Sequence, residues 1–174
     1  AMRAHKSLPI KTWVKEEMKQ YDYISWSGGG MHGLTYIGVI RAMQHRLGGA
    51  KAYTDYLSRV KGFAGTSIGA IVALTMVLHL NADEVESVLN PYVSNPQRIA
   101  PHLDVNRLIA QYGLDSGNAV RTMVAALLQQ VGLCKASTLG DLERLLRCEL
   151  SICTTDLQTG MPRYLSAVTA PKLE

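Results

Sequence analysis

Two glycine-rich stretches hold residue types that can do chemistry. The first, Gly65-Thr66-Ser67-Ile68-Gly69, is a G-x-S-x-G sequence. About 0.05 such matches are expected by chance in a chain of this length. A strand read over Val60 to Ala64 precedes it, and a long apolar run follows. Strand, turn and helix in that order form the setting of a nucleophile elbow, which displays a serine hydroxyl on a sharp turn. Glycines on either side suit a turn where side chains would clash. Ser67 would then stand at a helix N-terminus, whose partial positive charge favours an alkoxide or oxyanion. The plain alternative is a buried serine on a tight connection.

The second stretch is Gly28-Gly29-Gly30-Met31-His32-Gly33, again between a strand and a helix. Gly28, Gly30 and Gly33 satisfy G-x-G-x-x-G, the dinucleotide-binding pattern. That reading needs an acidic residue at the end of the next strand. Asp55 has the right separation but precedes the strand, and a nucleotide site gives no reason for a serine elbow. Acyl transfer accounts for both loops. Backbone N–H groups of Gly28, Gly29 and Gly30, with that of Ile68, can hold an oxyanion. Gly33, Gly65 and Gly69 would support the two turns.

The base is harder to find. Of the five histidines, only His79 and His102 follow Ser67. His79 lies in the apolar run and reads as a satisfied core histidine. A triad of Ser67, Asp83 and His102 would be oddly compressed. An aspartate acting directly on the serine would serve, given hydrogen-bond reach. Of the seven aspartates, Asp115 and Asp141 read as caps and Asp156 as turn chemistry, and none of the seven has a compelling setting.

The elements that must position these residues alternate between strand and helix. Tyr23 to Trp26 reads as a strand and Gly33 to Leu47 as a helix closed by Gly48-Gly49. Ile68 to Leu80 reads as a buried helix. Asn81 with Glu84 marks the N-cap of a helix that stops near Pro91. Ser94 to His102 reads as a loop and Asp104 to Tyr112 as a short helix. A longer helix holds Val120, Val124, Leu127, Leu128 and Val131 and closes at Gly132. Thr138 with Asp141 resembles a capping box for a helix through Leu146. Cys148 to Thr154 and Arg163 to Ser166 read as strands around a turn at Thr159-Gly160. This is α/β layering, with an unpaired last strand that invites a second copy of the chain.

Composition bounds the rest. The chain has 174 residues, with 47% hydrophobic and 18% charged side chains, which excludes a disordered protein and fits one domain. No apolar run is long enough to span a bilayer, and no signal peptide is visible. A cytoplasmic or peripheral membrane location is expected. Five basic residues against Glu16 and Glu17 concentrate most of the net +4 in residues 1–21. Nearly neutral residues 22–174 argue against nucleic acid as a partner. The basic segment also carries Ile10, Trp13, Val14, Met18 and Tyr21 at helical spacing, so an amphipathic helix at a lipid surface is one reading. The other is a surface helix packed on the domain. Cys134, Cys148 and Cys153 read as reduced core residues. Ala1-Met2 and Lys172-Leu173-Glu174 read as cloning scars.

With both loops in view, the chain resembles the patatin-like phospholipase family. That family carries a glycine-rich oxyanion loop after its first strand and a G-x-S-x-G elbow at the next strand–helix junction. Here they match Gly28 to Gly33 and Gly65 to Gly69. Leu139-Gly140-Asp141-Leu142 and Thr155-Asp156-Leu157-Gln158-Thr159-Gly160 are similar to the family's later helix and hairpin, so the resemblance covers about residues 22 to 166. It implies a three-layer α/β fold with a mostly parallel sheet, unfinished at the C-terminus, in a domain of residues 22–174 after the basic segment 1–21. It implies a serine–aspartate dyad that hydrolyses phospholipid or another acyl ester, with no cofactor, no metal and no histidine base. His32 replaces the family's arginine or lysine. The family's aspartate lies in an Asp-Gly-Gly or Asp-Gly-Ala motif that these residues lack. The resemblance therefore puts the partner of Ser67 outside this chain, or makes the chain a reduced homologue without a dyad.

Overall fold

Parallel neighbours in a sheet need crossover connections, and this chain supplies two of them. The computed structural model describes residues 18–94 and 116–173. Strands β1 (Tyr23–Trp26), β2 (Gly62–Thr66), β3 (Glu149–Thr155) and β4 (Pro162–Leu165) lie in that order in one sheet. β1, β2 and β3 run parallel, and β4 returns antiparallel beside β3. The register aligns Trp26 with Gly65, Gly65 with Ile152, and Thr66 with Cys153. The mostly parallel α/β sheet expected from the sequence is therefore present, with β4 at its edge among the described residues.

The first crossover is a 3-10 turn (Gly30–Thr35), helix α1 (Tyr36–Leu47) and helix α2 (Ala50–Leu57). The second holds α3 (Ile68–Val77), α4 (Ala82–Val93), α5 (Asn118–Gln129) and α6 (Leu139–Leu146). Both expected capping boxes form. The Asn81 side chain accepts from the Asp83 and Glu84 N–H groups, while Glu84 accepts from the Asn81 N–H at 2.8 Å. Thr138 and Asp141 repeat the exchange at α6.

α3 is apolar on every side, and such a helix is stable only when packed on every side. Val72, Ala73, Thr75, Met76 and Val77 are buried, and the Thr75 hydroxyl donates to the Val72 carbonyl at 2.7 Å. Phe63 and Leu150 from the sheet join Ile40, Val85 and Leu127 from other helices in the same core.

Several expectations need correction. α2 is a helix beyond those the sequence pattern announces, with Tyr53, Tyr56 and Leu57 as its buried stripe. β2 starts at Gly62, because the Val60 N–H closes the end of α2 on the Leu57 carbonyl at 2.9 Å. α3 stops at Val77, and His79 takes a left-handed φ of 55° before the chain turns into α4. α4 runs through Pro91 to Val93, where the proline lies in the last turn. Only Cys148 is a core cysteine, whereas Cys153 is half-buried and Cys134 exposed. Burial, then the neighbouring Glu149 and Glu143, push the Cys148 thiol up to about 11.

Residues near the C-terminus are tied into the fold. Carbonyls of Leu173 and Pro171 accept from the Leu139 and Gly140 N–H groups at 2.9 and 3.1 Å, satisfying two orphan donors of α6. Met18 packs on the core, and the Lys19 carbonyl accepts from the Tyr56 hydroxyl at 3.0 Å. The residues before Met18, the loop and short helix read between Asn95 and Asp115, and the terminal Glu174 lie outside the described residues.

Candidate active site

Ser67 is the link between β2 and α3. Its φ of 54° and ψ of −130° put a non-glycine residue in a sparsely populated region, a strain of about 1–3 kcal/mol that only a rigid surround maintains. The surround is visible in the glycines. A Cβ on Gly65 would lie 2.5 Å from the Ala70 nitrogen, and one on Gly69 would lie 2.5 Å from the Ser27 carbonyl oxygen. The first turn of α3 is thus pressed onto its own strand and onto the end of β1. Ala70 N–H donates to the Ser67 carbonyl at 2.9 Å and begins the helix. The N–H of Ile68 belongs to the first turn, which has no intrahelical acceptor. Ser67 itself is exposed.

The glycine loop meets this elbow at two points. A Cβ on Gly33 would fall 2.9 Å from Cβ of Ile68, so glycine is required there. A Cβ on Gly28 would sit 3.4 Å from Cβ of Ser67, which places the start of the loop beside the serine. Gly29 and Gly30 are different. A Cβ on Gly29 would meet nothing closer than the Gly33 nitrogen at 3.5 Å, and around Gly30 the space is open. The expectation that glycines are needed to avoid clashes therefore holds at Gly33, Gly65 and Gly69. At Gly30 the demand is conformational, a φ of 52°.

Two aromatic side chains hold the loop. The Tyr36 hydroxyl donates to the Ser27 carbonyl at 3.1 Å and lies 3.0 Å from the Ser27 hydroxyl. Its ring meets Trp26 edge to face at 5.0 Å. Inside the loop, His32 N–H donates to the Gly29 carbonyl at 3.0 Å, and the Thr35 hydroxyl donates to the His32 carbonyl at 2.7 Å. The His32 side chain is exposed. Tyr36 was legible only as one member of a helix face.

Gly30 and Ser67 stand on the wall of a cavity of about 610 Å³. Ile71, Leu74, Leu89, Met123, Leu150 and Ile152 supply its apolar lining. Along α3 it reaches from Ser67 to Leu74, about 10 Å at the helical rise. Its size is that of a small-molecule site, and its lining suits a hydrocarbon.

Among the described residues, no side chain hydrogen-bonds the Ser67 hydroxyl. Asp22 pairs with Lys61 at 2.9 Å, Asp55 with Lys51 at 2.9 Å and Asp83 with Arg41 at 3.1 Å. Asp141 is the α6 capping residue; hydrogen bonds from Thr138 hold its carboxyl below the usual range. The Asp156 carboxylate accepts from the Gln158 and Thr159 N–H groups at 2.9 and 3.3 Å and faces Arg163 at 3.6 Å. Asp104, Asp115 and His102 lie outside the described residues. His79 follows the far end of α3. Burial lowers its pKa, and its Nε2 is buried with no partner among the described residues, so the expectation of a satisfied histidine fails there. Asp55 sits in the last turns of α2 rather than at a strand end, as the dinucleotide pattern would require. No group of three or more histidine, cysteine or acidic side chains among the described residues could hold a metal ion.

A tight serine turn, a glycine loop against it and an apolar cavity beyond lie together at one end of the α/β sheet. The model of the patatin-like phospholipase family matches residues 24–165, and the chain belongs to that family. Two solved structures share its fold. One is the type III effector protein ExoU, at 18% identity and a TM-score of 0.52, covering 89% of this chain and 38% of that one. The other is full-length ExoU with full-length SpcU, from the type III secretion system of Pseudomonas aeruginosa. It matches at 19% identity and a TM-score of 0.53, over 89% of this chain and 36% of that one. The chain thus spans little more than a third of the structures it resembles. No curated protein matches it by sequence.

Proposed function

We propose that the protein is a lipid acyl hydrolase, phospholipase A-like, with Ser67 as its nucleophile. The observation that carries this reading is the strained Ser67 turn, set beside Gly28 and opening on an apolar cavity. Attack of the Ser67 oxygen on an ester carbonyl forms a tetrahedral oxyanion. Backbone N–H groups of Gly28, Gly29, Gly30 and Ile68 receive that charge. Collapse expels the lysolipid alcohol and leaves an acyl-enzyme, which water hydrolyses to release a fatty acid. The acyl chain occupies the cavity between α3, α5 and β3. Family resemblance makes the base an aspartate, which takes the serine proton and returns it to the leaving alcohol. The reaction belongs to lipid degradation and draws on no cofactor.

A second reading has one observation in its favour. The Ser67 hydroxyl has no partner among the described residues, which is what a catalytically silent lipid-binding module of the same fold would show. An alkyl fluorophosphonate separates the two, since it reacts only with an activated serine. It should label the parent and spare Ser67→Ala, with both proteins melting at the same temperature. Equal labelling of both rejects Ser67. Labelling of neither, with a fluorescent fatty acid still bound, favours the silent module.

A further inference from the structure

We infer that the tip of the β3–β4 hairpin, through Leu157 and Met161, docks the protein on a lipid surface beside the Ser67 cavity. That the surface is lipid rests on the acyl hydrolase reading. Leu157 is 83% exposed and Met161 62%, which puts two large apolar side chains in water on one short turn. The tip stands at the elbow's end of the sheet. Thr66, next to Ser67, is aligned with Cys153, and Cys153 and Thr154 line the cavity. β3 ends at Thr155, and Leu157 lies two residues beyond it. The tip therefore lies past the cavity at the Ser67 end of the sheet.

The N–H groups of the tip are suited to leaving water. Five of the six N–H groups from Asp156 to Met161 are already satisfied within the hairpin. Asp156 N–H donates to the Met161 carbonyl at 2.9 Å, and Gly160 N–H to the Asp156 carbonyl at 2.7 Å. The Asp156 carboxylate takes the Gln158 and Thr159 N–H groups, and the Thr159 hydroxyl takes that of Met161. Polar groups bonded internally cost little when the tip enters a lipid headgroup layer. The one acid, Asp156, faces Arg163 at 3.6 Å, so no unpaired negative charge stands at the tip. A stable protein interface buries about 800 Å² per partner, far more than two side chains on a tip provide. A lipid surface asks for no shape match and accepts such a wedge as it is.

The test is sedimentation of the full chain with phosphatidylcholine vesicles, in a Ser67→Ala background so that lipid is not consumed. The protein should bind, and binding should persist at high salt because apolar burial drives it. L157S/M161S should bind more weakly by about tenfold or more. Leu157→Trp should bind at least as well as the parent, with its emission quenched by brominated lipid. Parental binding by L157S/M161S, absence of vesicle binding by the parent, or no quenching in Leu157→Trp overturns the inference. Fluorophosphonate labelling, which needs no vesicle, reads Ser67 separately. With Ser67 restored, L157S/M161S should label at the parental rate, so a failed docking site and a failed nucleophile give different results.

Discussion

The two strand-to-helix junctions of this protein use the same residue type for different ends. At the β2–α3 elbow, Gly65 and Gly69 are packed against backbone, and any Cβ would collide with atoms that have nowhere to go. At the tip of the β1–α1 loop, a Cβ on Gly29 would make only ordinary contact with Gly33 at 3.5 Å, and Gly30 faces open space. The fold therefore demands glycine at the elbow and does not demand it, sterically, at the loop tip. What an open glycine provides is close approach of backbone N–H groups to something outside the chain. The elbow holds a serine in strain, and the loop tip leaves its backbone uncovered.

The largest expected effect breaks the elbow. Gly69→Ala forces a Cβ onto the Ser27 carbonyl, and overpacking against backbone should cost about 3 kcal/mol or more in chemical denaturation. A loss under about 1 kcal/mol, the low end of overpacking costs, would mean that β1 and α3 are not clamped. Gly29→Ala should do the opposite. Its stability should stay within about 0.5 kcal/mol of the parent. Its kcat for ester hydrolysis should fall on the order of 10²-fold with little change in KM, as the methyl displaces the oxyanion from its donors. If Gly29→Ala instead unfolds the protein and spares turnover, the contrast between the junctions is lost. The smallest effect sharpens the strain argument. Ser67→Gly should raise stability by about 1 kcal/mol, because glycine adopts a positive φ freely while adding unfolded-state entropy. Equal or lower stability would place the strain elsewhere.

Local chemistry was read well from local sequence. The capping boxes at Asn81 and Thr138, the apolar α3 and the turn at Asp156 all involve partners within a few residues, so their patterns survive in one dimension. α2 was missed because its stripe of Tyr53, Tyr56 and Leu57 lies in an eight-residue helix with no capping side chain. The state of His79 is not legible in the sequence, because an apolar neighbourhood says nothing about whether a buried nitrogen meets an acceptor. The cysteines were misjudged for the same reason: an apolar residue type does not state its depth.

By itself the sequence determined which residues can react and what turns they need. Ser67 between two glycines, and the glycines from Gly28 to Gly33, follow from residue type and spacing alone. Only the tertiary structure decided that these two loops meet. Gly28 and Ser67 are 39 positions apart and become neighbours because β1 and β2 pair in parallel, with Trp26 beside Gly65. The same register sets Ile68 against Gly33 and opens the cavity toward Ile152 on the third strand. Strand pairing and helix packing are long-range choices, made by total burial rather than by any one segment, and no local pattern records them.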